Sequence, residues 1–189
     1  ILINDGSTDD TEEITKELIT REPRVQYIFQ ENQGLSAARN KGMAAANGKY
    51  LLFLDADDWL YPDCLKTYSE YLTENPKSEL FRCGYAYWKH PEARKYHTHY
   101  PGENGLIYPN VLTQNIGPCH SILILRDFAE RSGSFDNSLK SCEDWDFWIR
   151  AGKMGAKIRS IPAALVGYRY VAKSMSRNPR NMYQALTEV

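Results

Sequence analysis

The stretch YLLFLDADDWL, residues 50–60, runs an apolar segment straight into Asp55, Asp57 and Asp58. An unbroken apolar run of this length, stopped by charge, predicts a buried strand over Tyr50 to Leu54. Carboxylates so close repel one another and lose hydration when enclosed, so open water or a bound cation must offset the cost. Asp55-Ala56-Asp57 is a D-x-D at a strand end, and Mg²⁺ and Mn²⁺ take oxygen ligands of this kind. A solvated loop with a helix-capping Asp accounts for the same string.

Outward from that strand the chain alternates. Ile1 to Asn4 predicts a first strand, and DGSTDDT supplies turn formers and N-cap residues. Ile14, Leu18 and Ile19 mark an amphipathic helix to Glu22, stopped by Pro23. Val25 to Phe29 predicts a second strand, and LSAARNKGMAAAN an Ala-rich helix closed by Gly48. After the third strand, Pro62 opens a helix. Strand, helix, strand, helix, strand, helix argues for the α/β class with parallel strands and crossover helices. Ligands in such sheets bind beyond the carboxyl ends of the strands, where both NDGS and DADD lie.

Past Glu79 the texture changes. LFRCGYAYW and HSILILR read as strands, and the segment between them as an excursion shaping a pocket wall. EDWDFWIRAGKMG predicts a helix packed on the core with its acidic N-terminus facing out; AKIRSIP and ALVGYRY predict two closing strands. The tail SRNPRNMYQALTEV predicts a terminal helix.

Composition narrows the classes. The 189 residues suffice for one domain with a sizeable core, and a net charge of −1 leaves no basic footprint for nucleic acid. Cys64, Cys83, Cys119 and Cys142 form no C-x-x-C pair and read as free thiols in a reducing compartment. There is no apolar run of membrane-spanning length. The chain opens at Ile1 inside a strand-like segment, which suggests an excised piece with sequence missing upstream.

Two further motifs carry chemistry-bearing residues. Asp5, beside Gly6 and Ser7, can accept hydrogen bonds from a base N–H or a ribose hydroxyl; taken alone, a tight turn before an N-cap explains it better. Glu143-Asp144 offers a general base at a helix N-terminus; taken alone, favourable placement of acids on the helix dipole explains it better. G-x-G-x-x-G and G-x-x-x-x-G-K-[ST] are both absent. The four histidines show no metal-ligand spacing, and no metal role is expected of them.

The order of the motifs is more specific than any one of them: NDGS, NQGLSAARNKG, DADDWLYPD, SGSFDNSLKSCEDWDFWIRA, then YRYVAKSMS. From Ile1 to about Asn178 this resembles a family-2 glycosyltransferase of the GT-A fold. The resemblance implies a Rossmann-like, mostly parallel sheet flanked by helices, here with its first strand missing. It implies a single domain over 1–178, with a nucleotide-binding half (1–80) and an acceptor-side half (81–178), and a C-terminal tail at 179–189. The implied reaction is inverting, metal-dependent transfer of a sugar from a nucleoside diphosphate to an acceptor hydroxyl. Asp5, Arg39 and Asp55 would bind the nucleotide, Asp55 and Asp57 would hold Mn²⁺ or Mg²⁺, and Asp144 would be the catalytic base. The implied partners are a UDP-sugar and a sugar or lipid-linked sugar acceptor, with a cytoplasmic location, at the inner face of the membrane where the acceptor is lipid-linked.

The chain departs from the family pattern at Asn4, which stands for the first acid of D-D-G-S, and at Val171, where relatives carry His. Q-x-x-R-W is absent, which argues for a non-processive enzyme. A haloacid-dehalogenase-like phosphohydrolase would need D-x-D-x-[TV], and Trp59 follows Asp58 instead. A sugar-nucleotide-binding domain without catalysis is the other alternative, and weak or no activity is expected of the isolated fragment.

Overall fold

The computed structural model describes residues 1–89, 94–170 and Thr187. In chain order it contains β1 (Leu2–Asp5), α1 (Thr11–Arg21), β2 (Tyr27–Gln30), α2 (Leu35–Ala45), β3 (Tyr50–Leu52) and β4 (Trp59–Leu60). Then come α3 (Cys64–Glu74), β5 (Leu80–Lys89), β6 (Arg94–His99), β7 (Gly105–Leu106), β8 (Ile122–Leu125), α4 (Arg126–Arg131), α5 (Glu143–Lys153) and β9 (Lys157–Tyr170). Short 3₁₀ turns lie at Asn110–Leu112 and Cys119–Ser121. Val171 and the tail helix expected past it fall outside the described residues, apart from the helical Thr187.

β1 and β2 pair in parallel as a two-stranded sheet. The larger sheet has the order β3-β8-β5-β9-β4, with β6 added to β5 and β7 to β9. Its central pair, β5 with β9, is parallel. β8 enters between β3 and β5 and runs against both. The class is α/β as expected, with a mixed sheet. The strand–helix alternation of the first three strands could not foretell β8, because no crossover helix leads into it.

Period-2 side chains divide the core into two layers. Leu51, Leu80, Ile122, Ile124 and Ile158 face one layer with Phe147, Trp148 and Ala151 of α5. Phe81, Cys83, Leu123, Ile161 and Val166 face the other, against Cys64 and Tyr68 of α3. Helices therefore cover both faces, and each fully buried Leu or Ile contributes about 1.5–3 kcal/mol. All four cysteines are buried and free.

Two expectations need correction. The closing strands form one strand, β9, which carries Pro162 within it. Its register to β5 slips between Cys83↔Ile161 and Gly84↔Ala164, so Pro162 sits at a bulge where its missing N–H breaks no ladder bond. In α1, Ile14 and Leu18 face solvent while Thr15 turns inward and donates its hydroxyl to the Thr11 carbonyl. The narrow β1–β2 sheet, among the described residues, leaves that apolar pair uncovered.

The acid-bearing loop is held at both ends. β3 leads into it, and β4 anchors its exit through Trp59↔Gly167 and Leu60↔Val166 on β9. The Trp59 indole lies so close over Gly167 that an added Cβ would fall 2.2 Å from its ring. Gly167→Ala is therefore expected to cost about 1–3 kcal/mol through overpacking. Urea unfolding followed by tryptophan fluorescence checks it, and an unchanged midpoint would show that the indole moves aside at no cost.

Candidate active site

The end of β1 presents Asp5. Its Oδ1 accepts from Gln30 Nε2 (2.7 Å) and the Gln33 N–H (2.9 Å), and its Oδ2 accepts from the Gly34 N–H (2.9 Å). Partial burial alone would raise its pKa; these three donors outweigh it and hold the carboxyl below its ordinary range. The turn beyond needs glycine: Gly6 has φ +74°, and an added Cβ would meet the Asn32 backbone nitrogen at 2.8 Å. Asn4 is buried and uses both ends of its amide, donating to Tyr27 Oη (2.9 Å) and accepting from the Ser7 N–H (2.8 Å).

At the end of β3 the three acids stand in different surroundings. Asp57 is exposed. Asp55 keeps 29% of its side chain exposed, and Asp58 only 1%. The Arg169 N–H donates to Asp58 Oδ1 (2.7 Å), and Arg169 Nε donates to the Asp57 carbonyl (2.7 Å), so β9 clamps the loop. Partial burial, then the charges of Asp58 and Asp55, push the Asp57 pKa up. His120, fully buried in the second 3₁₀ turn, brings Nδ1 to 2.9 Å from Asp58 Oδ2 and 4.0 Å from Asp55 Oδ2. Its ring stacks on Tyr168 with centroids 5.0 Å apart. Among the described residues, Asp55, Asp58 and His120 form a group able to hold a metal ion. The arrangement is compatible with a divalent cation, and its ligand set includes a histidine that sequence spacing had set aside.

A single buried guanidinium ties this loop to the start of α5. Arg39, on the inward face of α2 with Ser36 and Met43, donates through Nη2 to Asp55 Oδ1 (2.9 Å) and Oδ2 (3.2 Å). Its Nη1 donates to Glu143 Oε1 (2.6 Å) at the start of α5. Burial by itself would favour the neutral guanidine; the acids beside it outweigh that and raise the Arg39 pKa. The acidic start of α5 thus turns inward rather than out, with Glu143 7% exposed and its charge met by Arg39.

Asp144 follows Glu143 on the same helical turn. Burial first, then the Glu143 charge, push its pKa up to about 6, against the opposing pull of Arg39 and the hydrogen bonds from the Trp145 N–H and Asn115. Asn115 Nδ2 stands 3.4 Å from Asp144 Oδ1, a long contact that leaves the carboxylate free to take a proton. The residue before the pair, Cys142, has φ 59°, a left-handed conformation uncommon for a residue with a side chain and concentrated at functional turns.

Of the residues singled out by sequence, Arg39 and Asp55 meet directly, and Glu143 brings Asp144 beside them. Asp5 makes its hydrogen bonds within the first sheet and the turn after β2. Asp57 is exposed and is not a partner in the Arg39 bridge. Sequence reasoning missed Glu143 as a structural partner, Asp58 as the buried acid, Arg169 as the clamp and His120 as its companion. Glu143 and Asp58 carried local signals, their places next to Asp144 and Asp57; Arg169 and His120 carried none.

The family model described as Glycosyl transferase family 2 matches residues 1–132. EpsJ of Bacillus subtilis, a glycosyltransferase by name, is 28% identical over 189 residues, covering 95% of this chain and 54% of its own length. TuaG of the same organism, whose name assigns it to teichuronic acid biosynthesis, is 28% identical over 183 residues, covering 94% of this chain and 69% of its own. The crystal structure of S. aureus TarS 1–349 in complex with UDP-GlcNAc superposes with a TM-score of 0.73 at 19% identity, over 97% of this chain and 54% of that one. The chain thus spans about half the length of EpsJ and of that TarS fragment. The TarS likeness establishes the shared fold, and a family match running from Ile1 through α4 establishes more: the chain belongs to glycosyl transferase family 2.

Proposed function

We propose that this chain carries the donor site and catalytic base of an inverting, non-processive glycosyltransferase. It would move a sugar from a nucleoside diphosphate to an acceptor hydroxyl. The observation that carries the reading is the Arg39 bridge, which holds the D-x-D loop and the helix bearing Asp144 on one guanidinium. In this reading Asp5, fixed by three donors, keeps one acceptor lone pair for a base N–H. Arg39 and Asp55 flank the diphosphate, and Asp55 with Asp57 would hold Mn²⁺ or Mg²⁺. A divalent cation there supplies Lewis-acid stabilisation of charge on the departing diphosphate. Asp144, ionised above about pH 6, takes the proton of the acceptor hydroxyl as its oxygen attacks the anomeric carbon. The C–O bond to the diphosphate breaks as the new one forms on the opposite face, which inverts the centre.

UDP is the proposed nucleotide, by analogy with the TarS complex, and a sugar or lipid-linked sugar the proposed acceptor class; the teichuronic acid biosynthesis in TuaG's name supports a role in polysaccharide synthesis. No helix among the described residues is long and apolar enough to cross a membrane. The proposed setting is the cytoplasmic face of the envelope. Calorimetry with UDP and GDP, with and without Mn²⁺, on this chain and on Asp57→Asn and Asp5→Ala, tests the donor site. Metal-dependent binding of one nucleotide is expected, weakened by about tenfold or more without the Asp57 charge. Absence of nucleotide binding under every condition would remove the donor-site reading.

A further inference from the structure

Arg82 stands apart from the other enclosed arginines. Arg39 and Arg150 each meet a carboxylate, at 2.9 Å and 2.6 Å. Arg82, half-buried on β5, meets only neutral oxygens among the described residues. Enclosure lowers the pKa of its guanidinium, and no acid offsets that. A charge kept at such a cost calls for a use that a neutral side chain cannot supply. The planar fork of arginine can hold several acceptors at once, which a lysine cannot reproduce.

That fork joins three segments. Nε donates to Ser160 Oγ on β9 (3.0 Å), Nη2 to the Glu103 carbonyl (3.1 Å) and Nη1 to the Ile116 carbonyl (3.2 Å). Arg82 thus anchors the 115–117 turn to the central pair of strands. The segment before that turn is anchored to α5, where the indole N–H of Trp145, next to Asp144, donates to the Val111 carbonyl (2.6 Å). Asn115 stands between the two anchors. Its Oδ1 accepts the Gly117 N–H (3.2 Å), which sets the way the amide faces and leaves Nδ2 directed at Asp144 Oδ1 (3.4 Å).

We propose that Asn115 is the positioning residue of Asp144, and that Arg82, through the Ile116 carbonyl, holds Asn115 in register with it. The inference rests on the reading above of Asp144 as the base. A donor set against one carboxylate oxygen fixes the plane of the carboxylate, and with it the direction in which a proton is accepted. The contact is long enough to leave the carboxylate basic and near enough to orient it. The other titratable groups that act on Asp144 are Glu143 on its own helix, Arg39 from α2 and Tyr85 from β5, with Cys119 in the second 3₁₀ turn and Cys142 before the helix. All of them stay in the chain when Asn115 or Arg82 is replaced, so a changed titration of Asp144 reports the Asn115 contact.

The test is the Asp144 carboxyl itself, titrated by carbon-13 resonance of labelled aspartate in the 189-residue chain, with Asp144→Asn giving the assignment. Asn115→Ala removes a donor that favours the ionised form, so the titration is expected to move upward from about 6. Asn115→Asp keeps an acceptor for the Gly117 N–H but sets a second charge against Asp144, so a larger upward move is expected. Arg82→Met leaves Asn115 in place but unpinned, and a move in the same direction is expected, which a purely structural role of Arg82 would not give. In transfer assays the three variants should lose about tenfold to 10²-fold in kcat. Their acid limb should move with the titration, and their affinity for UDP should stay that of the wild type. A thermal melt confirms that each variant folds. Unchanged Asp144 titration in folded Asn115→Ala and Asn115→Asp would overturn the positioning role, while the base reading would stand on Asp144→Asn. A shift in Asn115→Ala with none in folded Arg82→Met would overturn the part given to Arg82. If the titration moves as expected but Asp144→Asn turns over like the wild type, the base reading falls, and the catalytic meaning of Asn115 falls with it.

Discussion

Asp144→Asn is expected to lower the turnover of sugar transfer by about 10²–10⁴-fold, the usual contribution of a general base, while leaving nucleotide binding in place. The carboxylate sits at the first turn of α5, where burial and the Glu143 charge bring its pKa up to about 6. A base needs its proton-accepting form, so kcat/KM should fall on the acid side of about pH 6 and level off above it. Glu143→Gln removes one of the charges that raise this value, so the acid limb should move to lower pH in that variant. The stability sign runs the other way from the usual carboxylate. A group whose folded pKa is raised contributes stability at low pH that is lost as pH rises through the folded value. Asp144→Asn should therefore melt at the same or a higher temperature than the wild type above about pH 6. Steady-state kinetics with a nucleotide-sugar donor check the first part, and calorimetric melts the second. Wild-type turnover in Asp144→Asn would take the base role away from this residue.

Much of this site was legible because its parts are local. An apolar run ending in acids fixes β3 and the loop after it, and Gly6 beside Asp5 fixes the turn after β1. Both positions follow from strand length and turn chemistry, which a sequence carries within a few residues. His120 could not be found that way. Its meaning comes from Asp58, on a loop that reaches it only once β8 has inserted between β3 and β5. The inward turn of Glu143 was hidden for the same reason, since its partner Arg39 lies 104 positions away. An acid at a helix N-terminus has a sufficient local explanation in the dipole, and only the fold supplies the cation that lets it be buried. Trp59, likewise, separates this chain from a phosphohydrolase motif by sequence, but its packing on Gly167 belongs to the register of β4 on β9.

Arg39→Ala should destabilise the protein by about 3–5 kcal/mol at neutral pH, the range for breaking a buried ion pair from one side. The loss is large because two carboxylates are stranded at once: Asp55, at 2.9 Å from Nη2, and Glu143, at 2.6 Å from Nη1. The penalty belongs to those anions more than to the missing side chain, which gives the prediction its internal control. Adding Asp55→Asn and Glu143→Gln to Arg39→Ala should recover much of the loss at neutral pH, because a neutral triad no longer carries uncompensated charge. Urea unfolding of the single and triple variants at neutral pH measures each step. A deficit that is not recovered in the triple variant would mean that Arg39 acts by packing against Phe135, whose ring centroid is 5.5 Å from the guanidinium carbon. Recovery of stability without recovery of nucleotide binding would instead show that the charge of this bridge is kept for the site, and that the fold tolerates it only because Arg39 answers both acids.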